Sequence, residues 1–468
     1  MTDSRKQADN SQPDAKLARA QKDFAERYSR AYSGEKSRSG DLRSPFPDHY
    51  EDLNFPYSDS PTDYESTGLW GRIKGALAND IVAGLLLIVL AVLALIVANS
   101  PIREAYFALS HAEIGISAIN LKMSVAHWAQ DGVLVLFFFV VGLELKQEFV
   151  NGSLRDPRTA AMPIIAALFG MAGPALIYCL VTALTGDSAW HGWAIPTATD
   201  IAFAVAILQI FGRGMPLAAR TFLLTLAVAD DLGGIIVIAL FYSSGEIAPL
   251  LINLALAIVA AVVFSLVVRR GIVAWWILLP IGVVCWYFMH ASGIHATIAG
   301  VLLGMVVPAS RVGNDHEPMT ERLTEAVNPF SAGLAVPIFA FFAAGVDIID
   351  SPGGPSAMLT NPVTLSVALA LPIGKFLGIF GSVTFMYALT PLTLGKGVKL
   401  RDIMPISFVA GIGFTVALLL SHLAFTGDET RTQAGSLGVV LGTFLSTIIG
   451  AILLTLRVRR IRAEAETE

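Results

Sequence analysis

The stretch LAVADDLGGIIVIA, residues 226–239, places two adjacent aspartates inside an apolar segment that runs from Met215 to Tyr242. That segment is long enough to cross a bilayer, so Asp230 and Asp231 fall where the hydrocarbon lies. One aspartate at the centre of a spanning helix costs about 2.5–3.5 kcal/mol. Acids at that depth are typical of proton or cation sites, which makes this pair the first candidate for function.

The composition of the chain is that of a membrane protein. Of its 468 residues, 54% are hydrophobic and 15% are charged, and the mean hydropathy is +0.64. Soluble domains carry about 25% charged residues. The two cysteines, Cys179 and Cys285, lie in apolar segments and are interpreted as packing residues, because no metal-ligand spacing is present.

The N-terminal part of the chain differs from the rest. Its first 70 residues hold 10 Lys/Arg and 13 Asp/Glu and contain no apolar run, which excludes a signal peptide or a membrane span there. The composition predicts a polar, disordered cytoplasmic tail over residues 1–75. Residues 76–462 are then the membrane domain, and 463–468 form a short C-terminal tail.

Twelve apolar segments follow the tail in quick succession, most of them close to the ~20 residues that a spanning helix needs. Their approximate bounds are 79–99, 125–146, 159–184, 193–211, 215–242, 247–268, 273–290, 292–308, 329–348, 362–388, 403–425 and 434–456. The sequence therefore predicts an all-α polytopic membrane protein with twelve transmembrane helices.

The distribution of lysine and arginine predicts the orientation. When the loops are assigned alternately to two sides, 18 of these residues share the side of the N-terminal tail, and the opposite side has Arg103, Lys122 and Arg431. Positive loops favour the cytoplasm, so both termini are predicted to be cytoplasmic. The long outer loop 100–124 contains Ile114–Met123, which fits a β-hairpin or an irregular loop equally well.

Four ionisable residues lie at mid-membrane depth: Asp200, Asp230, Asp231 and Lys375. Lys375 is about a dozen residues from either end of its span, which disfavours snorkelling and favours pairing with an aspartate. Neighbouring residues on a helix point about 100° apart. One member of the adjacent pair is therefore expected to face the lysine, and the other to face Asp200.

The charge balance of these four residues indicates a chemistry. Three carboxylates and one ammonium group leave a net charge of two minus when all are ionised. Two protons neutralise that charge, and one cation with partial solvation does so as well, so protons and a metal ion compete for the same oxygens. Competition of this kind is what an antiporter requires, and exchange of two protons for one monovalent cation moves net charge.

Two spans are expected to be interrupted. In WAIPTATDIAFAVAIL, residues 193–208, Pro196 lacks an N–H and disturbs the helix just before Asp200. In the eleventh span, Gly411 and Gly413 weaken the helix. The two interrupted spans are the fourth, in the middle of spans 3–5, and the eleventh, in the middle of spans 10–12. These two groups of three begin on opposite sides of the membrane, so they would form inverted repeats. The binding site is then expected at the interruptions.

Seven stretches together resemble the NhaA family of bacterial sodium–proton antiporters, which is itself a known example of inverted repeats. They run in family order across about residues 79–460, everything except the tail. They are FFFVVGLELKQEFVNGSL (137–154), PTATDIAFA (196–204), LAVADDLGGIIVIA (226–239), GIHATIAGVLLG (293–304), PIFAFFAAGV (337–346), IGKFLGI (373–379) and GIGFT (411–415).

The resemblance implies roles for residues that match the family's motifs. Asp200 and Asp231 would be the ion-binding carboxylates, that is, the ligands of transported Na⁺, and Asp230 would be the partner of Lys375. The residues that would line the site are Thr199, Gly411, Gly413 and Thr415. The implied fold is the NhaA-type antiporter fold, with the ion site where helices 4 and 11 cross.

The resemblance also implies an activity and an assembly. The expected activity is electrogenic export of sodium, and of lithium, in exchange for external protons across the inner membrane of a bacterium, which contributes to sodium and pH homeostasis. The expected assembly is a homodimer joined through residues 100–124. Membrane lipid is the other expected partner, and no cofactor, nucleotide or nucleic acid is expected.

The cytoplasmic entrance departs from the family's pattern. Glu144 and Glu148 keep two acids there, whereas Gln147 stands where a basic residue is usual. The positions where an acid and two histidines are usual hold Thr324, Glu325 and Asn328. Since the family's pH regulation involves this region, the pH set-point is expected to differ. The transport chemistry is expected to be intact.

Two further residues have two interpretations each. His295 is either a hydrogen-bonded packing histidine or a participant in proton movement and the pH response. Asp131 is either a helix cap or an acid of the outer path.

Other classes of protein are less well supported. An intramembrane aspartyl protease needs a GxGD setting that this chain lacks, and it would leave Lys375 unexplained. The zinc protease motif HExxH is also missing. A sodium-coupled symporter of similar fold is the alternative, but it would need a polar pocket for an organic substrate.

Overall fold

The computed structural model describes residues 75–465 except 76, 78–79, 120, 156, 243–246, 312–316, 352, 391–393 and 395–396. The tail predicted over residues 1–75 lies outside the described residues, apart from residue 75. At the other end, residues 463–465 continue the last helix, and the rest of the predicted C-terminal tail is not described.

The described residues are mostly helical, as the long apolar segments predict. The helices are α1 (Asp80–Ala98), α2 (Arg103–His111), α3 (Val135–Val150), α4 (Pro157–Thr185), α5 (Ile201–Phe211), α6 (Leu217–Phe241), α7 (Ile247–Arg269), α8 (Trp275–Ala291), α9 (Thr297–Met305), α10 (Met319–Phe330), α11 (Val336–Ala343), α12 (Gly354–Leu359), α13 (Pro362–Leu369), α14 (Gly381–Leu389), α15 (Leu400–Val409), α16 (Phe414–Ala424) and α17 (Glu429–Ala465).

A two-stranded antiparallel sheet lies between α2 and α3. Strand β1 (Glu113–Ile114) pairs with β2 (Met123–Ser124) in the register Glu113 to Ser124 and Ile114 to Met123. Of the two interpretations of this segment, the structure has the hairpin. A short helical turn, Val125–His127, and a π-helical segment, Trp128–Val133, lead from it into α3.

Within the described ranges, seven helices are long and apolar enough to cross a membrane. Two further pairs of helices pass the same test together: Trp190–Thr197 with α5, bent by 43°, and α15 with α16, bent by 50°. The count is therefore nine when each bent pair is one span, among the residues that the structure describes. The predicted second, seventh and eighth spans form shorter helices of 16, 17 and 9 residues, so twelve spans remain a prediction.

Two predicted boundaries differ from the structure. The ninth span was expected to begin at 329, but α10 begins at Met319, because its first turns are amphipathic and hydropathy alone does not detect them. The eighth was expected to begin at 292, but α9 begins at Thr297. Gly293 has a positive φ of 80°, and the chain turns there before the helix starts.

The spanning helices carry large apolar side chains on their outer faces. Leu184 and Leu240 are 78% and 72% exposed. In water such a surface would drive aggregation, whereas lipid tails cover it without cost. Close helix contacts use glycine instead: α9 meets α3 at Gly304, where an added Cβ would lie 2.7 Å from the Gly142 carbonyl carbon.

Candidate ion-binding site

The first break in a helix leads directly to Asp200. A 3₁₀ helix, Trp190–Thr197, ends with Pro196 inside it, and Ala198 and Asp200 have extended backbone. The helix resumes as α5 with Asp200 at its N-cap, where Asp200 Oδ1 accepts a hydrogen bond from the Phe203 N–H at 3.0 Å. The aspartate is 4% exposed, so the break places a capping carboxylate in the protein interior.

The second break crosses the first. Between α15 and α16, the Ile412 carbonyl accepts the N–H of Asp200 at 2.6 Å. The N–H of Thr415, in the first turn of α16, donates to Asp200 Oδ2 at 3.1 Å. A Cβ at Gly413 would lie 2.6 Å from the Ala198 carbonyl oxygen, so the two non-helical segments cross this closely because this residue is glycine.

Asp200 therefore lies at the N-terminal ends of two half-helices at once. Free N–H groups and the helix dipole favour negative charge at both ends. The predicted site residues Gly411, Gly413 and Thr415 lie at this crossing, and Thr415 contributes its backbone N–H.

The lysine lies against the first aspartate of the adjacent pair. Lys375 Nζ contacts Asp230 Oδ2 directly and also donates to the Thr197 carbonyl oxygen at 2.6 Å. Both Lys375 and Asp230 are fully buried. Lys375 lies between two π-helical segments, Ala370–Gly374 and Phe376–Phe380, a local geometry that is frequent at functional sites.

Thr199 joins this pair to the second break. Its hydroxyl lies 2.7 Å from Asp230 Oδ2 and 2.8 Å from the Ala410 carbonyl oxygen. A hydroxyl has one proton to donate, so Thr199 donates to one of these acceptors at a time while Asp230 is ionised. The threonine thus connects the buried salt bridge to the end of α15.

Asp231 has a different environment from its neighbour. It is 4% exposed, and none of its contacts in the described part of the chain matches the Lys375 and Thr199 contacts of Asp230. Its Oδ1 has no hydrogen-bond partner among the described residues, which is also true of Asp230 Oδ1. Its carboxylate interacts electrostatically with Asp230, Asp200, Glu144 and Lys375. A buried carboxylate oxygen without a donor is costly, and binding a proton or a cation removes that cost.

The remaining predicted residues are divided between two places. Glu144, half-buried in α3, interacts with Asp231, and Glu148 lies one turn further along the same helix. His295 lies elsewhere: its Nδ1 is 4.0 Å from Asp131 Oδ1. Asp131 precedes Glu144 by 13 residues, about 20 Å along a helix, so the structure does not bring His295 together with the two glutamates.

Asp131 is surrounded by three histidines. Its Oδ2 is 3.1 Å from His127 Nε2 and 4.0 Å from His290 Nδ1. The side chain lies in a π-helical segment and accepts no helix N–H, so it pairs with histidine rather than capping a helix. In the described part of the chain, no set of three or more His, Cys, Asp or Glu residues is arranged to hold a metal ion.

The positions that depart from the family's pattern lie beside a contact that the sequence did not reveal. Gln147 Nε2 donates to Glu321 Oε1 at 2.6 Å and joins α3 to α10. Glu321 was not among the predicted residues, although Thr324 and Glu325 in the same helix were. A second unpredicted feature is the buried pair formed by Asp402 and Arg457.

The bent helix pairs and the buried carboxylates where they cross define the class of the protein. It is an integral membrane protein in which two helices begin at one buried carboxylate, that of Asp200, and in secondary transporters half-helix ends of this kind face the bound ion. A family model described as Na⁺/H⁺ antiporter 1 matches residues 74–454. The chain belongs to this family, the NhaA sodium–proton antiporters.

Two relatives with 46% sequence identity support this membership over most of the chain. A protein named Na(+)/H(+) antiporter NhaA 2 from Mycobacterium sp. (strain KMS) is 46% identical over 433 residues, 90% of this chain and 95% of the relative. One named Na(+)/H(+) antiporter NhaA from Streptomyces antibioticus is 46% identical over 401 residues, 85% of this chain and 82% of the relative. The solved sodium proton antiporter MjNhaP1 from Methanocaldococcus jannaschii covers 83% of this chain and 98% of its own, with a TM-score of 0.47 and 15% identity.

Proposed function

We propose that the protein exports sodium, and lithium, in exchange for external protons. The observation that carries the proposal is the buried Asp231 carboxylate, whose Oδ1 has no hydrogen-bond partner among the described residues and which interacts electrostatically with Asp200. Family membership supports sodium–proton exchange, because the relatives are named Na⁺/H⁺ antiporters.

The proposed roles follow from the hydrogen bonds. Asp200 and Asp231 bind the transported Na⁺ or the protons, since carboxylate and carbonyl oxygens suit a hard cation. Thr199, Gly411, Gly413 and Thr415 support the site, and Asp230 with Lys375 holds the crossing together. In this proposal Glu144 and Glu148 belong to the cytoplasmic funnel, and His295 belongs to the pH response from a separate location.

Competition drives the exchange. Sodium binds when protons have left the carboxylates, and protons displace it when the site opens to the opposite side, so no ATP is needed. Lys375 neutralises one of three buried aspartates, which leaves two negative charges for the transported ions. Two protons neutralise these two charges, so the proposed exchange is two protons for one sodium ion. Such an exchange moves net charge and is therefore electrogenic.

The proposed architecture has twelve spans in the cell membrane, with both termini in the cytoplasm. The two bent pairs would be the interrupted helices of inverted repeats, and the strong bias of Lys/Arg supports the orientation. A homodimer through residues 100–124 is supported by the β-hairpin there, which exposes Ile114, Ile116 and Ile119. The described residues offer no observation that favours a symporter instead.

Everted membrane vesicles with an internal pH dye test the function. Respiration acidifies the interior, and sodium added outside is expected to dissipate the gradient in vesicles that contain the protein. Vesicles from the same host without the protein are the control. The absence of a sodium or lithium response at every pH tested would refute the proposal.

A further inference from the structure

The C-terminal helix α17 packs along α15, beginning at the break between α15 and α16 and continuing toward the first residue of α15. A Cβ at Gly411 would lie 2.7 Å from Ser446 Oγ, and a Cβ at Gly450 would lie 2.9 Å from Val409 Cγ2. Ser446, Gly450 and Arg457 are four and seven residues apart, which places them on one face of α17. That face follows α15 toward its first residue.

A buried ion pair ends this contact. Arg457 Nε donates to Asp402 Oδ1 at 2.6 Å, and the two side chains are 8% and 1% exposed. The other carboxylate oxygen, Oδ2, accepts the N–H of Lys399 at 2.7 Å, just before the first residue of α15. One carboxylate therefore both caps α15 and attaches it to α17.

An exposed layer covers the pair. Glu464 lies 2.9 Å from Lys399 Nζ and 3.5 Å from Arg457 Nη1, and the side chains of Glu464 and Lys399 are 48% and 64% exposed. Exposed pairs contribute little, whereas a buried charge that loses its partner is strongly destabilising. The fixed contact between α15 and α17 is thus the one between Asp402 and Arg457.

The opposite end of α15 reaches the ion site. The Ala410 carbonyl faces the Thr199 hydroxyl at 2.8 Å, and the Ile412 carbonyl accepts the Asp200 N–H at 2.6 Å. Ten residues of helix span about 15 Å. α15 is helical over its whole length, although Pro405 inside it cannot donate a backbone hydrogen bond, and backbone hydrogen bonds join residues 410–412 to its end. A rotation or shift of α15 at Asp402 therefore displaces both carbonyls.

We propose that Asp402 and Arg457 are positioning residues of the ion site. Their pair fixes the rotation and the height of α15, and therefore the two carbonyls that hold Thr199 and Asp200, without touching the ion. An apolar contact would allow α15 to turn about its axis, whereas a charge-assisted hydrogen bond is directional. The transport readout of this proposal rests on the proposed function.

The test uses the full-length protein with three variants. Asp402→Asn and Arg457→Met break the pair, and Arg460→Met removes an exposed arginine from the same helix as the matched control. Hydrogen–deuterium exchange is measured over residues 198–204 and 411–417. Sodium dependence in everted vesicles gives the half-saturating sodium concentration separately from the maximal rate.

In the two variants that break the pair, Asp402→Asn and Arg457→Met, hydrogen–deuterium exchange is expected to be faster over residues 198–204 and 411–417. Their half-saturating sodium concentration is expected to be at least threefold higher than that of the wild type. Arg460→Met is expected to match the wild type. Arg457→Lys keeps the charge and is expected to recover part of the affinity, which a purely structural role would not require. If Arg457→Met does not accumulate, Asp402→Asn carries the test of the broken pair.

Two outcomes separate the possible failures. Folded pair variants with wild-type sodium affinity, and with faster exchange only within α15, would show that the pair is a structural attachment and overturn the positioning role. A wild-type protein without a sodium response would refute the proposed function alone. The exchange at residues 198–204 would then still decide whether Asp402 and Arg457 position the crossing.

Discussion

Asp200 accepts the backbone N–H of Thr415 at 3.1 Å, across the point where two bent helix pairs meet. The same carboxylate caps α5 through the Phe203 N–H. Two helix N-termini thus stabilise its negative charge, whereas Asp231 has an oxygen without any donor. The two carboxylates are unequal, and we expect Asp231 to be the more responsive to proton or sodium binding.

Asp231→Asn is expected to abolish the sodium response in everted vesicles. The amide cannot balance the charge of a bound cation, and it carries no proton to exchange. Thermal stability in detergent should be equal to or higher than that of the wild type, because the variant removes a buried carboxylate with an unpartnered oxygen. Glu429→Gln, at an exposed position, is the control. A sodium response retained in Asp231→Asn would remove Asp231 from the site.

Lys375→Met is expected to lower the free energy of unfolding by about 3–5 kcal/mol, because it leaves a fully buried Asp230 carboxylate without its cation. The double variant Asp230→Asn with Lys375→Met should recover a large part of that loss, since both charges are then gone. Thermal unfolding in detergent measures both effects. Equal stability of the two variants would show that the pair is not coupled.

Thr199→Val is expected to destabilise the protein by about 1–3 kcal/mol, because the Asp230 carboxylate and the Ala410 carbonyl share the lost hydroxyl. Thr199→Ser keeps the hydroxyl and should stay close to the wild type. The comparison of the two variants by thermal unfolding separates the hydrogen bond from the packing of the threonine methyl group. If serine is as destabilising as valine, the methyl group is responsible.

Gly413→Ala is expected to abolish transport and to reduce the yield of folded protein. Its Cβ would meet the Ala198 carbonyl oxygen at 2.6 Å, a backbone atom that cannot move without displacing Asp200. Gly381 is the matched control, since a Cβ there meets no atom within 4 Å. Gly381→Ala should transport normally. Normal transport in Gly413→Ala would show that the crossing is loosely packed.

Lower pH is expected to weaken the apparent sodium affinity. Protons occupy the same carboxylates as sodium, so each competing proton raises the half-saturating sodium concentration by up to about tenfold per pH unit, and the effect disappears when the pH is high enough to leave the site unprotonated. Sodium titrations of everted vesicles at several pH values measure this. A half-saturating concentration independent of pH would exclude direct competition.

Some features of the site were accessible from residue order alone. Asp230 and Asp231 point about 100° apart on one helix, so different partners for them follow from helix geometry. Pro196 in the apolar run before Asp200 indicates where the helix is disturbed, because proline removes a donor. These inferences are local: each depends on residues within a few turns of one another.

Other features depend on segments far apart in the sequence. The sequence gives no sign that His290 approaches Asp131, or that Glu321 meets Gln147, because each contact joins separate elements. In the sequence, Arg457 is one of the 18 basic residues on the side of the N-terminal tail, and nothing marks it further. Its buried contact with Asp402 depends on how α17 packs against α15.

The sequence by itself determined that apolar segments become helices and that three aspartates and a lysine share their interior. Lipid offers no partners for backbone groups, so such segments satisfy their own hydrogen bonds. Only the tertiary structure decided that Thr415 donates to Asp200, that Gly413 lets Ala198 pass, and that Asp231 keeps a free oxygen. These relationships arise where segments about 200 residues apart cross, and no local pattern specifies the geometry of that crossing.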